Sequence, residues 1–156
     1  MATRLKSKLV GNLTPDEYKA CHRLNMGHRG TMVYRLEESR KRAPRRSRAI
    51  MIEDEEGLLL AWALLFPYGY GMRRKSKVPP KLVHIYVRSS CRRRHLGTRL
   101  LCASRRYIER PEVSPWDARS GAFYASFKYE TISIAHGYKP AYRKAMEHQE
   151  QSVKAR

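Results

Sequence analysis

Val87-Arg88-Ser89-Ser90-Cys91-Arg92-Arg93-Arg94-His95-Leu96-Gly97-Thr98-Arg99-Leu100-Leu101 is the stretch on which the fold turns. Before it, Leu82-Val83-His84-Ile85-Tyr86-Val87 is a β-rich run with a His and a Tyr on one parity. After it, Leu96, Leu100, Leu101, Ser104, Tyr107 and Ile108 recur on one side of a helix predicted from Leu96 to about Glu109. A strand that feeds a glycine-containing loop and then a helix aims backbone N–H groups and the positive helix end at one point, which suits a pyrophosphate. Arg92, Arg93 and Arg94 add cations, Gly97 permits close backbone approach, and the Thr98 hydroxyl can donate to a phosphate oxygen. An ordinary strand-to-helix turn with three solvated arginines accounts for the same residues about equally well.

Upstream, Thr14-Pro15-Asp16-Glu17 combines a capping residue, a proline suited to the first helical position and the acid of a capping box, so a helix is expected from there to about Gly27. A second helix is expected over Thr31 to Arg42. Then Arg40-Lys41-Arg42-Ala43-Pro44-Arg45-Arg46-Ser47-Arg48 places six cations in nine residues and reads as a basic, solvent-facing loop. Ala49 to Glu53, the acidic turn Asp54 to Gly57, and Leu58 to Phe66 read as a hairpin through the core. Pro67 to Lys77 mixes Gly, Tyr and cations, a loop able to stack and to neutralise phosphates. Glu112 to Trp116 is a strand candidate weakened by prolines, and a short helix is placed over Asp117 to Phe127.

The length of 156 residues suits one domain, taken as 1–146, with a polar tail at 147–156. Lys and Arg number 33 against 14 Asp and Glu, a net charge of +19, which points to a polyanionic neighbour: nucleic acid, CoA phosphates or an acidic protein. Three dispersed cysteines (Cys21, Cys91, Cys102) argue against a disulfide framework and for a reducing, cytoplasmic setting. The histidines and cysteines show no ligand spacing, so no metal is expected, and no apolar stretch has the length of a membrane span.

The loop resembles the acetyl-CoA-binding motif of the GNAT acetyltransferase family, Arg/Gln-x-x-Gly-x-Gly/Ala. Arg92 stands on its first position, Gly97 on its last, and His95 where the first glycine is expected. A side chain at that point is compatible with CoA where the backbone keeps a right-handed conformation. The resemblance implies an α/β (α+β) fold with a mixed, mostly antiparallel central sheet flanked by helices, and a splayed strand pair holding CoA. It also implies acetyl-CoA, or another acyl-CoA, bound along Ile85, Tyr86 and Val87 and at Arg92, Arg93, Arg94, His95, Leu96, Gly97 and Thr98.

The family often takes its acid from a tyrosine in the fourth helix. Asp117 to Tyr129 looks like a drifted version of that segment and makes Tyr124 the candidate; a rival register places Ser133 there. His84 is the candidate base because its ordinary pKa lies near neutrality. Glu53 is a second, with a solvated turn carboxylate the blander reading, and Cys91 is taken as a small loop residue. Tyr68, Tyr70, Arg73 and Arg74 are candidates for guiding the acceptor. The expected activity is acetyl transfer to a primary amine on or near nucleic acid, by direct attack. The rivals are a GNAT-fold module that binds nucleic acid or an acidic partner with weakened catalysis, and a ribosome-associated basic protein without a pocket. A homodimer is one of the oligomeric states left open.

Overall fold

In a computed structural model the described residues are 2–24, 31–67, 80–107, 112–113 and 123. They fall in two compact units, residues 1–109 and 110–156. The first begins with strand β1 (Thr3–Leu9), helix α1 (Pro15–Arg23), helix α2 (Thr31–Arg42) and strand β2 (Arg48–Asp54). It continues with strands β3 (Leu59–Pro67) and β4 (Pro80–Val87) and helix α3 (Leu96–Ser104). Of the second unit, strand β5 (Glu112–Val113) and Phe123 are described. The helix expected over Asp117 to Phe127, Tyr124 and the tail otherwise lie outside the described residues, as do Tyr68, Tyr70, Arg73 and Arg74.

Strands β1 to β4 form an antiparallel sheet in sequence order, with Lys6 opposite Met51, Met51 opposite Trp62, and Trp62 opposite Tyr86. Side chains alternate between its faces. One parity carries Met51, Trp62, Leu64, His84 and Tyr86 beneath α1 and α2, where Val10, Cys21, Leu24, Met32 and Leu36 complete the core. Trp62 is fully buried, and its indole N–H donates to the Leu24 carbonyl at 2.6 Å, which fixes the exit of α1. The other parity carries Ile50, Ile52, Ala61, Ala63, Leu65 and Val83, all buried, and α3 covers this face with Leu96, Leu100 and Leu101. Helices on both faces explain why β2 and β3 read as continuous apolar runs.

The capping box forms as its spacing requires: the Glu17 N–H donates to the Thr14 hydroxyl at 3.2 Å, and the Thr14 N–H donates to the Glu17 carboxylate at 2.9 Å. Arg40, Lys41 and Arg42 occupy the last turn of α2, where cations oppose the negative helix end. The basic segment after them is a fastened turn and not a free loop. Ala43 and Ser47 are buried, and the N–H groups of Val10 and Gly11 donate to the carbonyls of Ser47 and Pro44 at 2.9 Å each. A Cβ on Gly11 would lie 3.0 Å from the Pro44 Cβ, so glycine lets the two segments touch. In the hairpin turn Gly57 has φ 85°, and Asp54 accepts from the N–H groups of Glu56 and Leu58. Among the described residues no helix is long and apolar enough to cross a membrane.

Candidate functional site

Strand β4 delivers the chain to the loop under firm control. The Arg88 N–H donates to the Leu60 carbonyl at 2.8 Å, and its guanidinium donates twice to the Leu59 carbonyl, at 3.1 and 2.9 Å. A single-turn helix, Ser89–Cys91, follows with Cys91 buried, in keeping with its reading as a small loop residue. Arg92 turns back: its Nε donates to the Val87 carbonyl at 3.3 Å and its guanidinium lies 5.9 Å from the Tyr86 ring. It ties the loop to the strand end, and like Arg93, Arg94 and His95 beside it, it is exposed.

Arg93 has φ 63° and His95 φ 59°, and among the described residues these are the non-glycine positions with positive φ. The right-handed backbone that was the condition for a side chain at His95 to be compatible with CoA is therefore not what forms. The left-handed conformation is open to glycine at no steric cost and carries a cost of order 1–3 kcal/mol for other residues. His95 thus keeps the glycine-type backbone at the motif's glycine position while adding an imidazole. It is the N-cap of α3, and its carbonyl accepts the first helical bond, from Arg99 at 3.0 Å. The N–H groups of Leu96, Gly97 and Thr98 follow in the first turn, which has no acceptor within the helix to offer them. Gly97 and Thr98 are half-buried. Gly97 has no positive φ.

On β4, Ile85, Tyr86 and Val87 face Ala63, Trp62 and Ala61 of β3. His84 lies on the parity under α2. Burial pushes its imidazole down to about 4, and the Arg35 guanidinium adds to the fall, so the ring is neutral at neutral pH. The reason for naming it a base, a pKa near neutrality, does not survive folding.

The sequence did not point to strand β1 or to what its charges meet. Lys6 reaches Glu53 at 2.8 Å and Glu17 at 3.2 Å; Arg4 reaches Glu53 at 3.2 Å; Lys8 reaches Glu17 at 2.8 Å. Glu53 is buried in this cluster and is not a solvated turn carboxylate. Burial alone would raise the Glu17 pKa, but hydrogen bonds from Lys8, the Thr14 N–H and Lys6 outweigh it and hold the carboxyl at about 2. Beneath them burial, then the charges of Glu17 and Glu53, push the Cys21 thiol up to about 12, which leaves it inert. The period-2 alternation in Thr3-Arg4-Leu5-Lys6-Ser7-Lys8-Leu9 was the available signal. Among the described residues no group of three or more His, Cys, Asp and Glu is placed to hold a metal ion.

No protein-family model matches the sequence, and no curated protein sequence matches it. Solved structures do match. AAC(6')-Iy, solved with the bisubstrate analogue CoA-S-monomethyl-acetylneamine, superposes with a TM-score of 0.53 over 83% of this chain and 92% of its own, at 15% identity. The acetyltransferase domain of xEco2 gives a TM-score of 0.50 over 86% of this chain and 91% of its own, at 14% identity. Likeness at such identities is one of fold, and it agrees with the antiparallel sheet, the flanking helices and the strand–loop–helix unit: the chain has the fold of the GNAT acetyltransferases.

Proposed function

We propose that this chain is an acyl-CoA-dependent N-acyltransferase that moves an acetyl group from acetyl-CoA to a primary amine on or near nucleic acid. The observation that carries the reading is the strand–loop–helix unit after β4, in which the first turn of α3 follows directly on the exposed arginines of the loop. The loop suits the phosphates of an acyl-CoA: first-turn N–H groups from Leu96, Gly97 and Thr98, the Thr98 hydroxyl, and the exposed guanidinium groups of Arg93 and Arg94. Arg92 serves the site from the strand end, holding Val87 in place. The bisubstrate analogue bound to AAC(6')-Iy carries CoA, which supports this chemistry for the shared fold.

In the proposed reaction the amine nitrogen attacks the thioester carbonyl carbon, the amide C–N bond forms as the C–S bond breaks, and no acyl-enzyme intervenes. The amine gives up a proton and the departing thiolate gains one. Tyr124 is our candidate for the second proton. His84, neutral at neutral pH and a weak base, suits passing a proton along to water better than holding it. Tyr68, Tyr70, Arg73 and Arg74 remain the candidates for guiding the acceptor. The net charge of +19 supports a polyanionic acceptor environment.

Calorimetry with acetyl-CoA tests the loop. Wild-type protein should bind, and Gly97→Asp should abolish binding while leaving the melting temperature unchanged, because an aspartate is favourable in the first helical turn but repels phosphate. Unchanged affinity in the variant overturns the loop assignment. No binding by the wild type leaves the alternative, a GNAT-fold module that binds nucleic acid or an acidic partner without catalysis. Incubation with radiolabelled acetyl-CoA and fractionated lysate then reports whether label enters RNA, DNA, protein or small amines. With the acceptor found, Tyr124→Phe should lower turnover tenfold or more, as loss of a general acid does, at unchanged acetyl-CoA affinity; unaffected turnover removes Tyr124 from the mechanism.

A further inference from the structure

From Arg88 to Tyr107 the chain contains Arg88, Arg92, Arg93, Arg94, Arg99, Arg105 and Arg106 and no Asp or Glu. Protein surfaces that only need solubility intersperse the two signs. Among the described residues the ion pairs of Arg4, Lys6, Lys8, His22 and Arg42 involve Glu17, Glu37, Glu38 or Glu53, on the α1/α2 side of the sheet. The α3 side carries the run without acids. Its inward stripe is apolar (Leu96, Leu100, Leu101), and its outward stripe is exposed at Arg99 and Cys102 and continues through exposed Arg105 and Arg106.

We propose that the outward face of α3 is a docking surface for the sugar-phosphate backbone of a nucleic acid. Arg99 and Arg106 make phosphate contacts, and the exposed arginines of the loop lie at one end. The face is built to stay put. Arg99 hydrogen-bonds the Thr3 hydroxyl, and after Ser104 the chain tightens as the Arg106 N–H donates to the Ala103 carbonyl and the Tyr107 N–H to that of Ser104. Tyr107 is then fastened: the Arg48 guanidinium lies 4.3 Å from its ring, and its hydroxyl is 3.0 Å from that of Ser7, which in turn accepts from Arg48 at 3.1 Å. Nine helical residues span about 14 Å, the length of about four phosphates along one strand of a duplex. Recognition is by charge, so no sequence preference follows. This rests on the nucleic-acid reading of the partner and not on acyl transfer.

The test is anisotropy of end-labelled single-stranded RNA, duplex RNA and duplex DNA of equal length, over a salt series, with polyglutamate as competitor. Arg99→Gln/Arg106→Gln should weaken binding and flatten the plot of log affinity against log salt by about 1.4 to 1.8, the loss of two phosphate contacts. Arg99→Lys/Arg106→Lys, which keeps the charge and changes the geometry toward Thr3, should keep the slope. Lys19→Gln/Arg23→Gln removes the same charge from the exposed side of α1 and should change little. The arm that binds most tightly names the nucleic acid. An unchanged slope in the first variant overturns the proposal, as does equal weakening by the α1 pair, which would mean net charge alone, or polyglutamate competing as well as nucleic acid, which would mean an acidic protein. Acetyl-CoA titrations of the same variants separate the two readings: a wild type that binds nucleic acid through α3 and ignores acetyl-CoA loses the enzyme reading and keeps this one.

Discussion

The two faces of the sheet use charge in opposite ways. Under α1 the cations of β1, half-buried at Lys6 and Lys8 and exposed at Arg4, each bond to the enclosed carboxylates of Glu17 or Glu53, and they set how the helix lies on the sheet. Over α3 the cations Arg99, Arg105 and Arg106 are exposed, above an apolar layer of Leu96, Leu100 and Leu101. Charge is structural where it pairs with a buried carboxylate; on the other face it stands at the surface, where the proposed phosphate contacts would be made. Composition alone adds the two populations together, and only the fold separates them.

The largest expected effect comes from breaking the first face at its centre. Trp62→Ala removes the largest fully buried side chain among the described residues and its hydrogen bond to Leu24, and should cost roughly 3–5 kcal/mol in urea unfolding. A cost below about 1 kcal/mol would mean that α1 and α2 do not depend on this core.

Acid should come second and act on the same face. The folded pKa of His84, about 4, lies below its ordinary value of 6.5, so the unfolded chain takes up the proton first and stability falls as pH drops from 6.5 to 4. Glu17, at about 2 when folded against 4.5, has the same sign, and its contribution is lost between pH 4.5 and 2. The urea midpoint should therefore fall in both windows. Glu17→Gln should flatten the lower one alone; a midpoint flat from pH 6.5 to 3 would contradict both assignments.

The smallest effect belongs to the α3 side. His95→Gly relieves a left-handed side chain and should be neutral to stabilising by about 1 kcal/mol, with acetyl-CoA affinity kept or improved. A marked loss of affinity would show that the imidazole itself touches the ligand.

Much of this was legible in the sequence, because local chemistry dictated it. Thr14 and Glu17 capped α1 as their spacing demanded, Thr31 and Arg42 bounded α2, and the β2–β3 hairpin lies within a residue or so of its apolar runs. What escaped depended on partners far along the chain. Strand β1 is polar, and what its cations meet is distant in sequence: Glu53 lies 49 residues from Arg4. Helix α3 stops at Ser104, short of Glu109, where the Ser104 hydroxyl donates to the Leu101 carbonyl and a tight turn brings Tyr107 to Ser7 and Arg48. The left-handed His95 escaped because its residue type argues against it; the conformation belongs to the turn.

Strand β1 pairs with β2 from Thr3 opposite Asp54 to Leu9 opposite Arg48. During synthesis it leaves the ribosome some forty residues before its partner and must wait with its backbone unpaired. A strand in that position is a template for wrong pairing, and lysines and arginines at every second place are the usual protection against it. The cations that later lock onto Glu17 and Glu53 would thus serve twice, first keeping a nascent strand apart from other chains and then fastening it to its own.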